Sequence, residues 1–295
     1  MKILLTGATG FIGSHICRAL VKDGHDVVIL KRSFSDCSRL AGLSGYRAYD
    51  IDRLGYSEIY AKEGRVDCII HTAIYYGEDK FLISFETDVV YPLTILDTFL
   101  KPGGLFLNTT TFFLDLPSVY PYMVYYRLAK QTLFQWLSVV SSKKDVHVVH
   151  MKLFHVYGPG DSSKKFAGWI MAQLANDAPV MDLTAGEQER DFIYVEDVAD
   201  AYRHILQVPE KIKRSCLTID VATGRPSSVK DFVTIAKSAF GARTKLNFGV
   251  LPYRPGEMMK CQGDPSILRA LGWTPQFDLK RGLAACAGRS QGTSH

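Results

Sequence analysis

The chain reads as an α/β protein, a Rossmann-type doubly wound parallel sheet with a smaller C-terminal lobe interleaved with it. Three observations predict this. The opening residues, MKILLTGATGFIGSHICRAL, pass from a β-rich run at 2–6 through a glycine turn (Gly7, Gly10, Gly13) into an amphipathic helix carrying Phe11, Ile12, Ile16 and Leu20. Apolar runs then alternate with helical periodicity through the first half of the chain. The segment VDCIIHT, 66–72, is continuously apolar, as a strand buried on both faces should be.

Taken in order, residues 27–30 read as the second strand, 46–49 as the third and 66–72 as the fourth. Residues 105–108 give a fifth and 146–153 a sixth, with helices over about 83–100 and 125–140. After VYGPGD at 156–161 the elements shorten, and glycine–proline joints recur at 158–160, 224–226 and 252–256. The expected division is a cofactor domain over 1–160, with 190–210 returning to it, and a mainly substrate-binding lobe over 161–295. The tail 287–295 is small and polar and is expected to fray.

Composition bounds the function. With 47% hydrophobic and 22% charged residues in 295, the chain is a soluble globular protein with a substantial core. Its net charge of +5 is spread rather than blocked, which disfavours nucleic acid and suits an anionic small substrate. No run is long and apolar enough to span a membrane, and the first apolar residues already form a strand, so no signal peptide is expected. Six cysteines without CxxC pairs read as buried thiols in a reducing cytoplasm. No metal-ligand cluster is expected.

The strand–turn–helix points backbone N–H groups at a place where a diphosphate can sit. Gly7 makes the tight turn, Gly10 lets phosphates approach the backbone, and Gly13 lets the helix pack close. In NAD-binding sheets strand two ends in an acidic residue that holds the ribose; here it ends Leu30, Lys31, Arg32, Ser33. Two cations and no carboxylate favour NADPH, with NADH possible; the same two cations would also suit a solvated surface. Asp50 and Ile51, just after strand three, could border the adenine, although a plain turn aspartate would look the same.

Tyr126 and Lys130 stand four apart in YYRLAK, on one face of a helix. A nearby ammonium is expected to lower the phenol's pKa and make it an acid–base group. Tyr122 and Tyr125 have no lysine four residues on. Strand five ends Asn108, Thr109, Thr110, Thr111; a hydroxyl beside the tyrosine would fix the reacting oxygen, with Thr111 the first choice and Thr110 the second. Threonines are also simply favoured at strand ends.

TGATGFIG, the HTA of His71–Ala73, the threonine triplet, YxxxK and LFHVYGPGD together resemble the extended short-chain dehydrogenase/reductases, which include nucleotide-sugar epimerases, dehydratases and ketoreductases. GEQERDFIYVEDVADAY, YRPGEM and LGWTPQFDLKRGL look like the same family's later motifs, so the resemblance covers nearly the whole chain. HTAIYYG, FLNTTTFF and AGEQERDFIYVEDV resemble the branch of CDP-abequose and CDP-paratose synthases, which reduce the 4-keto group of a CDP-3,6-dideoxyhexose for O-antigen. The resemblance implies a cofactor site of Gly7, Gly10, Phe11, Ile12, Gly13, Thr72, Ala73, Lys130 and His155. It implies Tyr126 as proton donor, Lys130 as its modulator, and Thr111 as the hydroxyl that orients the carbonyl. It also implies that Arg190 and Arg254 grip the substrate diphosphate and that Glu257 meets the nucleotide ribose; Arg190 could instead pair with Asp191 or Glu189. The family's usual homodimer would bury Phe81, Phe85, Leu93, Leu96, Phe99, Leu133, Phe134 and Leu137, some of which must face the sheet instead.

Three departures from the family's pattern stand out. Only fourteen residues separate Thr111 from Tyr126, so the rim of the site is trimmed. Asp88 stands where an asparagine usually opens a helix, which puts its bracing role in doubt. The Asp–Glu pair of the dehydratases is replaced by Thr110 and Phe112, which excludes elimination of water. The function expected is NADPH-dependent reduction of a nucleotide-linked 4-keto-(di)deoxyhexose. The rivals are an NAD-dependent 4-epimerase and, from another class, an inactive cofactor-sensing interaction protein.

Overall fold

The computed structural model describes residues 1–77, 80–115, 123–212 and 216–291. Tyr122, half of the short rim before Tyr126 and the extreme tail lie outside the described residues. Contacts divide the chain into two compact units, one of residues 1–153 with 199–219, the other of 154–198 with 220–295.

The first unit is built on strands β1 (Lys2–Thr6), β2 (Asp26–Lys31), β3 (Tyr46–Asp50), β4 (Val66–His71), β5 (Leu100–Thr111) and β6 (Val146–Leu153). With the Cys216–Val221 strand beside β6, the sheet runs in the order Cys216–Val221, β6, β5, β4, β1, β2, β3. The pairings from β3 across to β6 are all parallel. Ile3–Leu5, Val27–Ile29 and Cys68–Ile70 are fully buried, which is why these strands read as unbroken apolar runs. The chain reverses direction of travel through the sheet between β1 and β4, and ligand crevices open beyond the carboxyl ends of strands at such a point. The fold class is the one the sequence predicts, although β5 is much longer than the four residues 105–108 suggest.

The helix expected over 83–100 exists but is not uniform. It runs as Phe81–Phe85, a wide π-type turn at Glu86–Val90, and Tyr91–Phe99. Pro92 is the cause: it has no N–H for the carbonyl of Asp88, and its ring crowds that carbonyl. Tyr91 N–H reaches back five residues to Glu86 instead of four. The helix bearing Tyr126 spans Val124–Lys143.

The second unit is assembled from short pieces: strand pairs His155–Tyr157 with Phe192–Tyr194 and Val180–Asp182 with Lys245–Asn247, and the helices Phe166–Ala175, Val229–Phe240 and Leu279–Gln291. Asp191, fully buried, ties it together. Its carboxylate accepts from the N–H and hydroxyl of Thr223 and from the N–H groups of Gly224 and Gly263.

Candidate active site

The glycine turn follows β1 directly. Gly10 N–H closes it on the Gly7 carbonyl at 2.9 Å, and the helix Phe11–Lys22 (α1) starts from Gly10. Gly7 sits at φ +70, and a Cβ there would lie 2.6 Å from Ala73 N and from Thr72 Oγ1. A Cβ on Gly13 would lie 2.7 Å from Thr72 Oγ1 and closer still to the Gly7 carbonyl. These two glycines are therefore demanded by the protein's own packing. Gly10 differs: its Cβ would meet only the Gly7 carbonyl, at 3.2 Å. Its face is otherwise bare of the protein's own packing. Thr72 and Ala73 form the wall of the turn. Thr72 Oγ1 donates to the Thr6 carbonyl at 2.7 Å, so its hydroxyl is committed to the fold. Phe11 packs edge-on against His15, and Phe11 and Ile12 are half-buried on the first turn of α1.

The end of β2 departs from expectation. Lys31 and Asp50 are register partners in neighbouring strands, and they form an ion pair. Asp52 accepts from both the N–H and the hydroxyl of Ser33, at 2.7 and 2.6 Å. The basic strand end thus carries two carboxylates that a linear reading did not place there. Arg32 is exposed and stacks over Phe34 at 4.8 Å. Ile51 N–H donates to the Lys31 carbonyl, which seals the β2–β3 edge.

The threonine triplet is sorted by strand alternation, which sends Thr109 and Thr111 to one face of β5 and Thr110 to the other. The Thr111 hydroxyl hydrogen-bonds the Tyr126 phenol and accepts the Phe113 N–H at 3.2 Å. The Thr109 carbonyl accepts from Lys130 Nζ at 2.7 Å, and its hydroxyl meets the Tyr202 hydroxyl at 2.7 Å. Thr110 Oγ1 is buried and has no partner among the described residues. Thr111, Tyr126 and Lys130 are therefore brought together. Tyr76, which sequence reasoning missed, stacks on Tyr126 with ring centres 5.5 Å apart, and Phe113 meets it edge-on.

The charge state of this set corrects one expectation. Burial pushes the Tyr126 phenol well above its ordinary value, and the nearby Tyr76 and Asp88 push the same way; only the Thr111 hydrogen bond opposes them. Lys130 is bound to a carbonyl, and burial pushes its ammonium down to about 8 while Asp88 resists. The phenol is a protonated group in waiting rather than a preformed phenolate. Asp88, whose bracing role was in doubt, does brace. It accepts the Tyr75 N–H at 2.9 Å and the Ser84 hydroxyl at 3.2 Å.

In the second unit, Arg190 Nη2 pairs with Glu257 at 2.5 Å, and Nη1 donates to the Glu189 carbonyl. Its carboxylate partner here is Glu257, while the Asp191 carboxylate is held by Thr223, Gly224 and Gly263. Arg254 and Glu257 end a turn with Pro255 and Gly256 at its centre; Gly256 has φ +72, as a type II turn requires. Arg254 is exposed. His155 packs edge-on against Phe192, and burial together with the Arg190 charge pushes its imidazole down to about 3, so it is neutral.

Of the apolar residues expected in a dimer face, Leu96, Phe99, Leu133 and Leu137 are buried in the core. Leu93 packs against that core, and Phe134 stacks on His150. Phe81 and Phe85 do face outward, joined by Tyr125, Leu128 and Trp136. All six cysteines are thiols, Cys37 and Cys216 half-exposed and the rest buried. Among the described residues no helix is long and apolar enough to cross a membrane, and no group of three His, Cys, Asp or Glu side chains could hold a metal ion.

The profile of the NAD dependent epimerase/dehydratase family matches residues 3–217. The CDP-abequose synthase of Salmonella typhimurium (strain LT2) is 34% identical over 290 residues, covering 95% of each chain. That of Salmonella muenchen is 30% identical over 289 residues, covering 96% of this chain and 95% of the other. A UDP-glucose 4-epimerase structure from Stenotrophomonas maltophila, with bound NAD and formylated UDP-arabinopyranose, superposes with a TM-score of 0.83 at 23% identity, covering 100% of this chain and 99% of that one. Likeness at that identity speaks to the fold.

Proposed function

Because the chain belongs to the NAD-dependent epimerase/dehydratase family, we propose that it reduces the 4-keto group of a nucleotide-linked deoxyhexose, with a CDP-4-keto-3,6-dideoxyhexose as substrate and NADPH as the preferred reductant over NADH. At the coarser level it is an NAD(P)-dependent oxidoreductase of the extended short-chain dehydrogenase/reductase family that acts on nucleotide sugars. What supports the finer reading is the likeness to two CDP-abequose synthases over 95–96% of the chain, together with a Thr111 hydroxyl bonded to the Tyr126 phenol and a Lys130 ammonium held by the Thr109 carbonyl. A phenol so placed can hand its proton to a ketone oxygen.

The residues fit a dinucleotide, since Gly10 leaves a face of the turn bare that the fold itself does not need. Gly7, Gly10, Phe11, Ile12 and Gly13 would line its diphosphate, Asp50 and Ile51 its adenine side, and Lys130 and His155 its nicotinamide riboside. When bound, the cofactor supplies hydride to the carbonyl carbon. Tyr126 gives its proton to the carbonyl oxygen, Thr111 orients that oxygen, and Lys130 stabilises the phenolate that forms. With Lys31 neutralised by Asp50, preference for a 2′-phosphate rests on Arg32. Arg190, Arg254 and Glu257 would meet the substrate's diphosphate and ribose. Phe112 and Thr110 offer no proton carrier for elimination, which supports reduction over dehydration. The outward face of Phe81, Phe85, Tyr125, Leu128 and Trp136 supports a homodimer, and the six thiols suit the cytoplasm.

The test follows NADPH absorbance with CDP-, dTDP- and UDP-linked 4-keto-deoxyhexoses. The expected result is stoichiometric oxidation with the CDP sugar and a single 4-hydroxyl epimer as product. Interconversion of sugar nucleotides by protein carrying NAD, without consumption of reductant, would establish the epimerase instead.

A further inference from the structure

Within the second unit, the loop after the Cys216–Val221 strand and the segment leading into the Leu279–Gln291 helix line a cavity of about 750 Å³. That volume is typical of small-molecule sites, roughly 300–1,000 Å³. No residue given above to the cofactor or the sugar nucleotide lines it. Four cations do, Arg225, Arg269, Lys280 and Arg281, against one carboxylate, Asp278. Arg269 Nη2 donates to the Thr223 carbonyl at 3.0 Å and Arg281 Nη1 to the Gln276 carbonyl at 2.8 Å, so both guanidinium groups are held by neutral partners. The side chains of Arg225 and Lys280 are exposed and bond to no other described residue. One Asp278 oxygen accepts the Arg281 N–H at 2.8 Å and caps the helix, so side chains rather than the helix end supply the positive charge.

Two buried carboxylates hold the walls in place from behind. Asp191 fixes Thr223 and Gly224, and a Cβ on Gly224, which sits at φ +73, would lie 2.9 Å from the Pro265 ring. Asp197 accepts the N–H groups of Gln276 and Phe277 at 2.8 and 3.0 Å. Both carboxylates are engaged by these donors, and neither lines the cavity. The lining also selects among anions. Phe192 is stacked on Phe232 at 4.3 Å; Phe277 packs on Tyr194 at 4.5 Å and carries the Arg281 guanidinium 5.5 Å from its ring centre. Both aromatic rings are thus engaged, which leaves a nucleobase little to stack on. The Ser227 hydroxyl bonds to no other described residue, and the Gln276 side chain lines the same space. We propose that this cavity binds a sugar phosphate. The cations take the phosphate oxygens, for which the guanidinium fork is well shaped, and Ser227 and Gln276 take hydroxyls of the saturated ring. The site is independent of the reaction proposed above.

The test titrates the full chain with glucose 1-phosphate by calorimetry at neutral pH, with glucose and AMP as comparisons. Glucose 1-phosphate should bind saturably, glucose should give no heat, and AMP should compete poorly. Arg225→Gln combined with Lys280→Gln, two exposed positions whose replacement leaves the core untouched, should weaken binding about tenfold, as loss of charge-assisted partners implies. Arg190→Ala should change it less than about twofold, because Arg190 shares no partner with these cations. Absence of saturable binding to the wild-type protein, or a double variant that binds as the wild type does, overturns the proposal. AMP competing as well as the sugar phosphate overturns the ligand class. Binding lost in Arg190→Ala and kept in the double variant would place the anion at the diphosphate anchor instead. A wild-type protein that reduced no keto sugar would sink the functional reading and leave this titration standing.

Discussion

Lys130 and Arg190 are both buried cations, and the protein satisfies them in opposite ways. Lys130 is hydrogen-bonded to a neutral carbonyl, with its counter-charge, Asp88, committed to Tyr75 and Ser84. Arg190 is closed directly on the Glu257 carboxylate at 2.5 Å. The difference teaches what each can do for an anion. Negative charge developing beside Lys130 would meet a cation with no carboxylate bonded to it among the described residues, so its stabilisation is preorganised. A diphosphate arriving at Arg190 must compete with Glu257 or shift it. Under the proposed function, the reacting centre is preset, whereas the anchoring cation must exchange partners.

Breaking the preset centre should have the largest effect. Tyr126→Phe is expected to lower kcat about 1,000-fold, within the range of general-acid catalysis, with the dissociation constant for NADPH changed less than about threefold. Stopped-flow reduction and fluorescence titration measure the two separately; near-normal turnover would refute the assignment. Arg190→Ala should raise KM for the sugar nucleotide on the order of 10- to 100-fold, as removing a charge-assisted partner does, and leave cofactor binding alone. An unchanged KM would remove Arg190 from the anchoring role. Arg32→Ala should raise KM for NADPH about tenfold and spare NADH. Equal effects on both cofactors would show that the 2′-phosphate is read elsewhere. If the proposed homodimer forms on the outward face, Trp136→Asp should shift the sedimentation coefficient from dimer toward monomer, because an unpaired carboxylate cannot be buried in an apolar interface without a cost of several kcal/mol; an unchanged coefficient would take this face out of the interface. The smallest effect sharpens the comparison itself. Glu257→Gln should tighten inorganic pyrophosphate binding by about threefold, since a partly exposed ion pair is worth ~1 kcal/mol or less. Weaker binding in that variant, by calorimetry, would mean that Glu257 positions Arg190 rather than competing for it.

The site was legible wherever one element carries the whole signal. Tyr126 and Lys130 share a helix at a spacing of four, and Gly7, Gly10 and Gly13 share one turn, so local periodicity finds them. It failed where partners meet across the fold. Lys31 and Asp50 are nineteen residues apart and become neighbours only through the β2–β3 register, so a strand end that reads as purely basic is half neutralised. Arg190 and Glu257 are 67 apart. The rise in the Tyr126 pKa could not be read either, because burial outweighs the attraction that the lysine spacing suggested. Pro92 is a signal visible in the sequence: a proline inside a helical pattern foretells broken hydrogen bonding one turn earlier.

The Glu86–Val90 turn holds one more residue than a regular helix would fit into the same length. Everything from Tyr91 onward is therefore rotated by about 100° against everything before it. A helical wheel drawn through the whole run mixes two phases, and Phe81 and Phe99 belong to different ones. Chains that lack the proline should match this one across the turn only with a one-residue gap, and an ungapped match there would set the wrong side chain opposite Asp88.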